Sequence, residues 1–197
     1  MDCAGKIGVF GLHPAAGVTH VVMLLASYFS DVLKKKTEVL EADGGRAFAR
    51  YEKFLYGTEE ALTFRTKRCL YRRNAEGGIA AEHGRVQIFD FGCREAMMPR
   101  LFACGHKIIV GSAGLFHEED IARFLSGREV RELLAREGTG AWHFLLNHGN
   151  TGEKCRLTAH AGEMTMDITA YGLGTEPNTL RLSKQVRQLF CKLNMAL

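Results

Sequence analysis

Three parts of this sequence have residue types and spacings suited to phosphate and magnesium chemistry. The segment from Gly11 to His20 places small residues between a strand-like run and a helix-like run. Such a loop can turn its backbone N–H groups towards a phosphate, and the following helix adds the positive end of its dipole. The hydroxyl of Thr19 and the carboxylate of Asp90 are oxygen ligands of the kind that magnesium prefers. Asp43, two residues after Glu41, is suited to orienting a water or a substrate.

The loop follows the phosphate-binding pattern G-x-x-x-x-G-K-[ST] only in part. Gly17 and Thr19 stand at the second glycine and at the hydroxyl position, whereas Leu12 replaces the first glycine and Val18 replaces the lysine. Turns with a few small residues are common in α/β proteins, so these residues alone leave a purely structural loop equally open. Two acidic strand ends follow in the chain, at Asp43 and Asp90, and their order is that of a nucleotide site.

Taken together, these residues resemble the MinD/ParA family of P-loop ATPases, whose deviant Walker A loop reads K-G-G-x-G-K-[ST]-[ST]. The aligned stretch here runs from His13 to His20. Glu41-Ala42-Asp43 resembles the acidic D-x-D of that family, and Val86–Asp90 resembles its Walker B strand. Asn147 is similar to the asparagine that ends a later strand and helps to bind adenine. The order of elements agrees over roughly residues 5–150.

The resemblance implies ATP or ADP with Mg²⁺ as the ligand, and it implies a set of site residues. The implied catalytic residues are Asp43 and Asp90, and the implied metal ligands are Thr19 and Asp90. The implied nucleotide-binding residues are His13, Ala15, Ala16, Gly17, Val18, Thr19, His20 and Asn147.

Both lysines of the family pattern are replaced, the signature lysine by His13 and the P-loop lysine by Val18. Valine carries no charge, and an unperturbed imidazole is mostly neutral at pH 7. We therefore expect a non-hydrolysing scaffold or localisation factor with weak or no nucleotide binding. The alternative is an active nucleotide-dependent switch or phosphotransferase in which Arg46, Arg94 or Lys154 supplies the missing charge. A third possibility is an α/β domain unrelated to nucleotide hydrolases.

Short apolar runs alternate with helix-like segments, which is typical of a parallel sheet covered on both faces. The sequence predicts an α/β fold with a mostly parallel sheet, a P-loop NTPase-like three-layer sandwich, formed by residues 1–197 as a single domain. Ligands of such sheets bind at the carboxyl ends of the strands. The predicted strands are Lys6–Gly11, Thr37–Glu41, Val86–Asp90, His106–Gly111 and Trp142–Asn147. The predicted helices are Val18–Ser30, Arg94–Cys104, His117–Arg136 with a break at Gly127, and about Leu180–Leu193.

Composition bounds the possible partners and the compartment. Apolar residues make up 46% of the chain, and no apolar run reaches the roughly 20 residues of a membrane span. The six cysteines form no C-x-x-C pair, which indicates reduced thiols in a cytoplasmic protein. A net charge of +4 is too small to predict nucleic-acid binding. A homodimer or another protein partner remains open.

Two basic segments have both a functional and a structural interpretation. Residues 65–73 carry five arginines and lysines, which suit an acidic partner but also a solvated edge strand, with a hairpin favoured by the turn-like Asn74–Gly78. The last helix is basic and amphipathic, so it suits contact with a membrane surface as well as packing on the sheet. His143, His148 and His160 match no metal-ligand spacing.

Overall fold

A computed structural model describes residues 5–73, 84–112, 118–138, 140–147, 154–161, 164–172 and 184–195. Within these residues, nine strands form one sheet in the order β3-β4-β2-β5-β1-β6-β7-β9-β8, with the ranges given next. The strands are β1 (Lys6–Gly11), β2 (Thr37–Glu41), β3 (Thr63–Arg65), β4 (Cys69–Arg72), β5 (Val86–Asp90), β6 (His106–Ser112), β7 (Trp142–Asn147), β8 (Lys154–Ala161) and β9 (Met164–Gly172).

The seven inner strands, from β4 to β9, run parallel to one another, and an antiparallel strand closes each side. Strands β1, β2, β5 and β6 are almost wholly buried because helices cover both faces of the sheet, and this explains why their apolar residues are not confined to alternate positions. The predicted mostly parallel α/β sheet is confirmed. We call the two ends of these parallel strands the carboxyl edge and the amino edge of the sheet.

Six α-helices within the described residues form the outer layers. They are α1 (Val18–Ser27), α2 (Ala47–Tyr56), α3 (Met98–Phe102), α4 (Glu118–Ser126), α5 (Arg128–Glu137) and α6 (Lys184–Met195). A π-helical turn at Tyr28–Val32 extends α1, and a 3-10 turn at Glu95–Met97 precedes α3. One face of the sheet packs against Val22, Phe48 and Phe190 of α1, α2 and α6. The other face packs against side chains of α3, α4 and α5. The layers are therefore helix, sheet and helix, as predicted.

All five predicted strands are present with nearly the predicted bounds, and the predicted break at Gly127 separates α4 from α5. The predicted helix Arg94–Cys104 is present in position but shorter and less regular, because a 3-10 turn precedes a single short α-helix. Pro99 in the first turn has no N–H to donate, so it suits a helix start and not a helix interior. The elements predicted from the sequence did not include α2, β8 or β9, and they gave a single edge strand within 65–73 where β3 and β4 form a hairpin.

The basic segment 65–73 differs from its predicted form. The described hairpin joins β3 to β4 through residues 66–68, so the turn lies inside the basic segment. Of the two strands of this hairpin, β3 is the edge strand, because β4 also pairs with β2. The predicted turn at Asn74–Gly78 lies outside the described residues.

The apolar stripe of α6 is buried against the sheet through Val186, Leu189, Phe190 and Leu193. The solvent side of α6 therefore carries its basic residues and not an apolar surface. Across the part of the chain that the structure describes, we find no helix with the length and apolar content needed to span a bilayer.

Candidate functional site

The loop between β1 and α1 holds two residues in the left-handed conformation, Ala15 with φ of 63° and Gly17 with φ of 97°. The positive φ of Gly17 already disfavours a residue with a Cβ, and a steric contact excludes one as well. A Cβ added to it would lie 2.5 Å from Nδ2 of Asn147. The same Nδ2 donates a hydrogen bond to the carbonyl of Ala16 at 3.2 Å, so the end of β7 fixes the loop from the side. Asn147 thus contacts the loop that the sequence predicts to bind phosphate.

The start of α1 is open to an anion. Gly17 stands at its N-cap position without a side-chain cap, and the first turn holds no acidic residue. The first N–H groups of a helix lack intrahelical partners and carry the positive end of the dipole. A cavity of about 360 Å³ opens onto this helix start. Its lining is His13, Pro14, Ala15, Ala16, Gly17, Val18, Thr19, His20, Asp43, Gly92 and Cys93.

Thr19 and Asp90 are in direct contact, although 71 residues separate them in the sequence. The Thr19 hydroxyl donates to Oδ2 of Asp90 at 2.8 Å, and the N–H of Gly92 donates to Oδ1 at 3.0 Å. A hydroxyl and a carboxylate side by side form a donor set that suits Mg²⁺, which keeps several waters and takes only one or two carboxylates from protein. The two residues implied as metal ligands are therefore brought together.

Burial raises the pKa of Asp90 to about 6, and the nearby Asp43 adds to this rise, while the hydrogen bonds from Thr19 and Gly92 oppose it. The Asp90 side chain belongs to a residue only 2% exposed, so water stabilises its charge poorly. A bound cation would supply the positive charge that compensates this buried carboxylate. This electrostatic cost is typical of a site that is completed by a ligand.

Asp43 lies beside the same cavity, on the loop after β2. Its Oδ1 accepts a hydrogen bond from the N–H of Gly45 at 2.9 Å. A Cβ on Gly92, whose φ is 59°, would come within 2.2 Å of Oδ2 of Asp43, so only glycine fits there. The loops after β2 and β5 therefore meet at this cavity, which Asp43 and Gly92 both line.

Glu41, the other acid of the D-x-D-like segment, has a structural role. It is 1% exposed and its Oε1 accepts the N–H of Phe48 at 3.2 Å, which caps the start of α2. Burial raises the pKa of this carboxyl, and the hydrogen bond from Phe48 opposes the rise. Among the cavity-lining residues, Asp43 is the acidic one.

Positive charge is scarce at the cavity. Within the described residues, its lining includes no lysine or arginine, and its two histidines are His13 and His20. Burial lowers the pKa of His20, which favours the neutral ring. Nδ1 of His13 lies 2.8 Å from the carbonyl of Pro14. Val18 is 7% exposed and packs in the apolar core.

The three proposed replacement cations differ in position. Arg94 donates from Nη1 to the carbonyl of Asp43 at 3.0 Å, so it lies close to the cavity without lining it. Arg46 is turned towards Glu59, 3.8 Å away. The Lys154 side chain lies outside the described part of the structure.

Gly92 and Cys93 line the cavity and were not foreseen from the sequence. The available signal was a glycine two residues after an acidic strand end, where a sharp turn is needed. Among the residues that the structure describes, no group of three or more histidine, cysteine, aspartate and glutamate side chains is arranged to hold a metal. His148 lies outside those residues, as does the side chain of His160.

We expect Asp90→Asn to stabilise the ligand-free protein at pH 7.5 by up to about 3 kcal/mol, from a pKa difference of about two units. The pKa of Asp90 rises from 3.8 to about 6 on folding, so the folded state binds more protons between these values. The wild-type free energy of unfolding therefore falls as pH rises through this window and stays low above it. Urea unfolding without magnesium, at pH 7.5 and at about pH 4.5, measures the difference in free energy of unfolding between the variant and the wild type. We expect this difference to be smaller at the lower pH. Asp31→Asn, at an exposed position, controls for lost charge; equal pH dependence in both variants contradicts the prediction.

The fold is similar to those of solved plasmid partition proteins and of a ParA family ATPase. A plasmid partition protein from Borrelia burgdorferi has a TM-score of 0.57 at 12% identity, over 98% of this chain and 99% of that chain. A putative plasmid partition protein from the same organism, bound to AMPPNP, has a TM-score of 0.53 at 10% identity, over 97% and 96%. A ParA family ATPase from Chlorobium tepidum has a TM-score of 0.51 at 11% identity, over 98% and 90%.

Comparison of the sequence with family models, and separately with curated proteins, gives no match. The structural likeness therefore establishes the fold. The chain has a ParA-like α/β fold.

Proposed function

We propose that this protein is a non-hydrolysing scaffold or localisation factor on a MinD/ParA-like fold, with weak nucleotide binding at the loop around Gly17. One observation carries the proposal. The cavity at α1 keeps an open helix start and the Thr19–Asp90 pair, yet none of its described lining residues is a lysine or an arginine. Backbone N–H groups and a magnesium site can hold phosphates. Transfer of a phosphoryl group also needs positive charge on the transition state.

The expected affinity follows from the missing contact. A charge-assisted hydrogen bond to phosphate contributes about 1.5–3 kcal/mol, so its loss weakens binding by about ten- to a hundredfold. The related partition protein that was solved with AMPPNP supports a nucleotide as the ligand class. Weak binding and absent turnover suit a protein whose role is to assemble with a partner.

A protein partner is supported by exposed apolar side chains. Phe54 is 83% exposed and Tyr56 is 52% exposed, both on α2, and Leu62, directly before β3, is 63% exposed. Contact sites in proteins typically consist of exposed apolar residues that form a contiguous patch. Either a second copy of this chain or a different protein would satisfy this chemistry.

We expect ATP, ADP and AMPPNP with Mg²⁺ to raise the Tm by about 2–4 °C at about 5 mM, as for a Kd near 1 mM. Phosphate release from ATP should stay at the rate of a blank without protein. Thr19→Ala with Asp90→Asn should remove the magnesium-dependent part of the Tm shift, and Thr58→Ala, remote from the cavity, should not. Turnover above the blank would contradict the proposal, as would unchanged Tm shifts in the double variant.

An active nucleotide-dependent switch is a second candidate, and the position of Arg94 favours it. Its guanidinium donates to the carbonyl of Asp43, which lines the cavity. In this candidate Arg94 turns towards the phosphates when nucleotide binds. ATP turnover that is lost in Arg94→Ala and kept in Arg50→Ala, at an exposed position on α2, would establish it.

A further inference from the structure

We propose a second anion site at the amino edge of the sheet, which binds a small oligophosphate. A cavity of about 440 Å³ lies there, lined by Thr37 and Cys69 at the starts of β2 and β4, and by Arg85 directly before β5. The loop around Gly17 follows β1 at the carboxyl edge, so the two cavities lie at opposite ends of the parallel strands. None of the residues at the amino edge enters the proposed nucleotide function, and the two proposals stand independently.

Among the residues that the structure describes, those lining this cavity include cations and no acidic residue. Its lining is Lys36, Thr37, Arg65, Thr66, Lys67, Arg68, Cys69, Leu70 and Arg85. Basic side chains therefore come from three separate chain segments: before β2, around the β3–β4 turn, and before β5. We call Lys36, Arg65, Lys67 and Arg68 the basic quartet.

The basic quartet differs from its neighbours in its ion pairs. Arg72 pairs with the buried Glu38 at 2.5 Å, and Arg73 pairs with the buried Glu52 at 3.5 Å. Within the described residues, no acidic side chain lies within 4.0 Å of any charged nitrogen of the basic quartet. The arginines of the 65–73 segment thus divide into two that the fold neutralises and a group that it leaves for an outside anion.

Protection of a sheet edge explains only part of this arrangement. Lysines and arginines discourage pairing at an edge strand, and Arg65 on β3 fits that role. Lys36 lies outside the hairpin and Arg68 lies in its turn, so neither blocks the edge. Their convergence on one concave surface needs a different reason.

The β3–β4 turn, which carries Lys67 and Arg68 of the basic quartet, is fixed by hydrogen bonds. The N–H of Thr66 donates to the carbonyl of Cys69 at 2.9 Å, and Nη1 of Arg68 donates to the carbonyl of Lys34 at 3.1 Å. The hydroxyl of Tyr56 donates to the carbonyl of Arg65. A fixed turn loses less conformational freedom when a ligand binds, which favours binding.

The geometry favours a small ligand over a nucleic acid. Sites for small molecules have volumes of about 300–1,000 Å³, and this cavity lies in that range. Nucleic-acid surfaces are extended basic tracks, often with stacking aromatic side chains, on domains more basic than one with a net charge of +4. Guanidinium forks match phosphate oxygens two at a time, so two or three linked phosphates suit this group of cations.

The test is titration of the full chain with inorganic tripolyphosphate at about 0.1 M salt, by calorimetry and by amide NMR. We expect binding that shifts the amides of 66–70 and weakens as salt is raised. Arg65→Ser with Lys67→Ser should weaken binding by at least about tenfold, since two charge-assisted contacts are lost. Arg65→Lys with Lys67→Arg should keep most of the affinity.

Lys184→Ser with Arg187→Ser is the matched control, because it removes one lysine and one arginine from the exposed side of α6. We expect wild-type affinity from it, and a Tm for each variant excludes misfolding. Equal affinity for tripolyphosphate in the control and in Arg65→Ser with Lys67→Ser would overturn the proposal. Amide shifts confined to Ala15–His20, or tighter binding of a DNA duplex that displaces tripolyphosphate, would overturn it as well.

Discussion

Replacing Val18 by lysine should raise the affinity for magnesium–AMPPNP by about ten- to a hundredfold, because it restores a charge-assisted contact to phosphate. The lysine would start from the first residue of α1, at the mouth of the cavity. The open helix start and the Thr19–Asp90 pair are already in place. Calorimetric titration of both proteins measures the gain directly.

The same change should lower the stability of the ligand-free protein. Val18 is 7% exposed, and a Cβ on Gly11 would lie 2.7 Å from Cγ2 of Val18, so the side chain packs closely on the first strand. Lysine covers part of this surface with its stem, and its ammonium group must reach solvent. A lower Tm without nucleotide and a larger shift with it is the expected pattern.

Val32→Lys is the matched control, since it makes the same substitution at a valine that is 62% exposed. It changes the net charge equally and should leave nucleotide affinity unchanged. If Val18→Lys binds AMPPNP no better than Val32→Lys, the loop does not cradle phosphate. The proposed nucleotide site at Gly17 would then be wrong.

Replacing Gly17 by alanine should lower the free energy of unfolding by about 2–4 kcal/mol, from backbone strain together with a lost hydrogen bond. The φ of 97° disfavours any residue with a Cβ. The new methyl would lie 2.5 Å from Nδ2 of Asn147, which must then leave the carbonyl of Ala16. Urea unfolding measures the change, provided that the m-value stays constant.

Two further variants separate the backbone strain from the loss of the Asn147 hydrogen bond. Gly57→Ala places alanine at a similar φ of 75° with no atom within 4 Å of its Cβ, so it measures strain alone. Gly17→Ala with Asn147→Ala removes the steric conflict. The free energy of unfolding that this double variant loses relative to Asn147→Ala alone should equal the loss caused by Gly57→Ala. A cost of Gly17→Ala no greater than that of Gly57→Ala would show that Asn147 does not fix the loop.

The sequence by itself determined the parallel core of the sheet and the chemistry of its first loop. The five predicted strands are rich in apolar residues because both of their faces are buried, and this pattern is local. Gly17, Thr19, Asp43 and Asp90 were readable for the same reason, since each stands at a strand end or a helix start. The replacement of both lysines is also visible in the sequence alone.

Helix α2 and strand β3 were missed because their signals are not local. In α2 the apolar Phe54 is 83% exposed while Glu52 is 2% exposed, so apolar periodicity does not follow burial. Strand β3 has three residues, too few for any alternation to show, and it exists through its pairing with β4.

Only the tertiary structure decided which of the candidate residues meet. The contact of Thr19 with Asp90 spans 71 residues, and that of Asn147 with Ala16 spans 131. Glu41 and Asp43 look equivalent in sequence, yet Glu41 caps α2 and Asp43 lines the cavity. The sheet order causes the two long-range contacts, because it places the ends of β2, β5, β1 and β7 along one edge. Glu41 and Asp43 differ because Glu41 is the last residue of β2, whereas Asp43 lies in the loop beyond it.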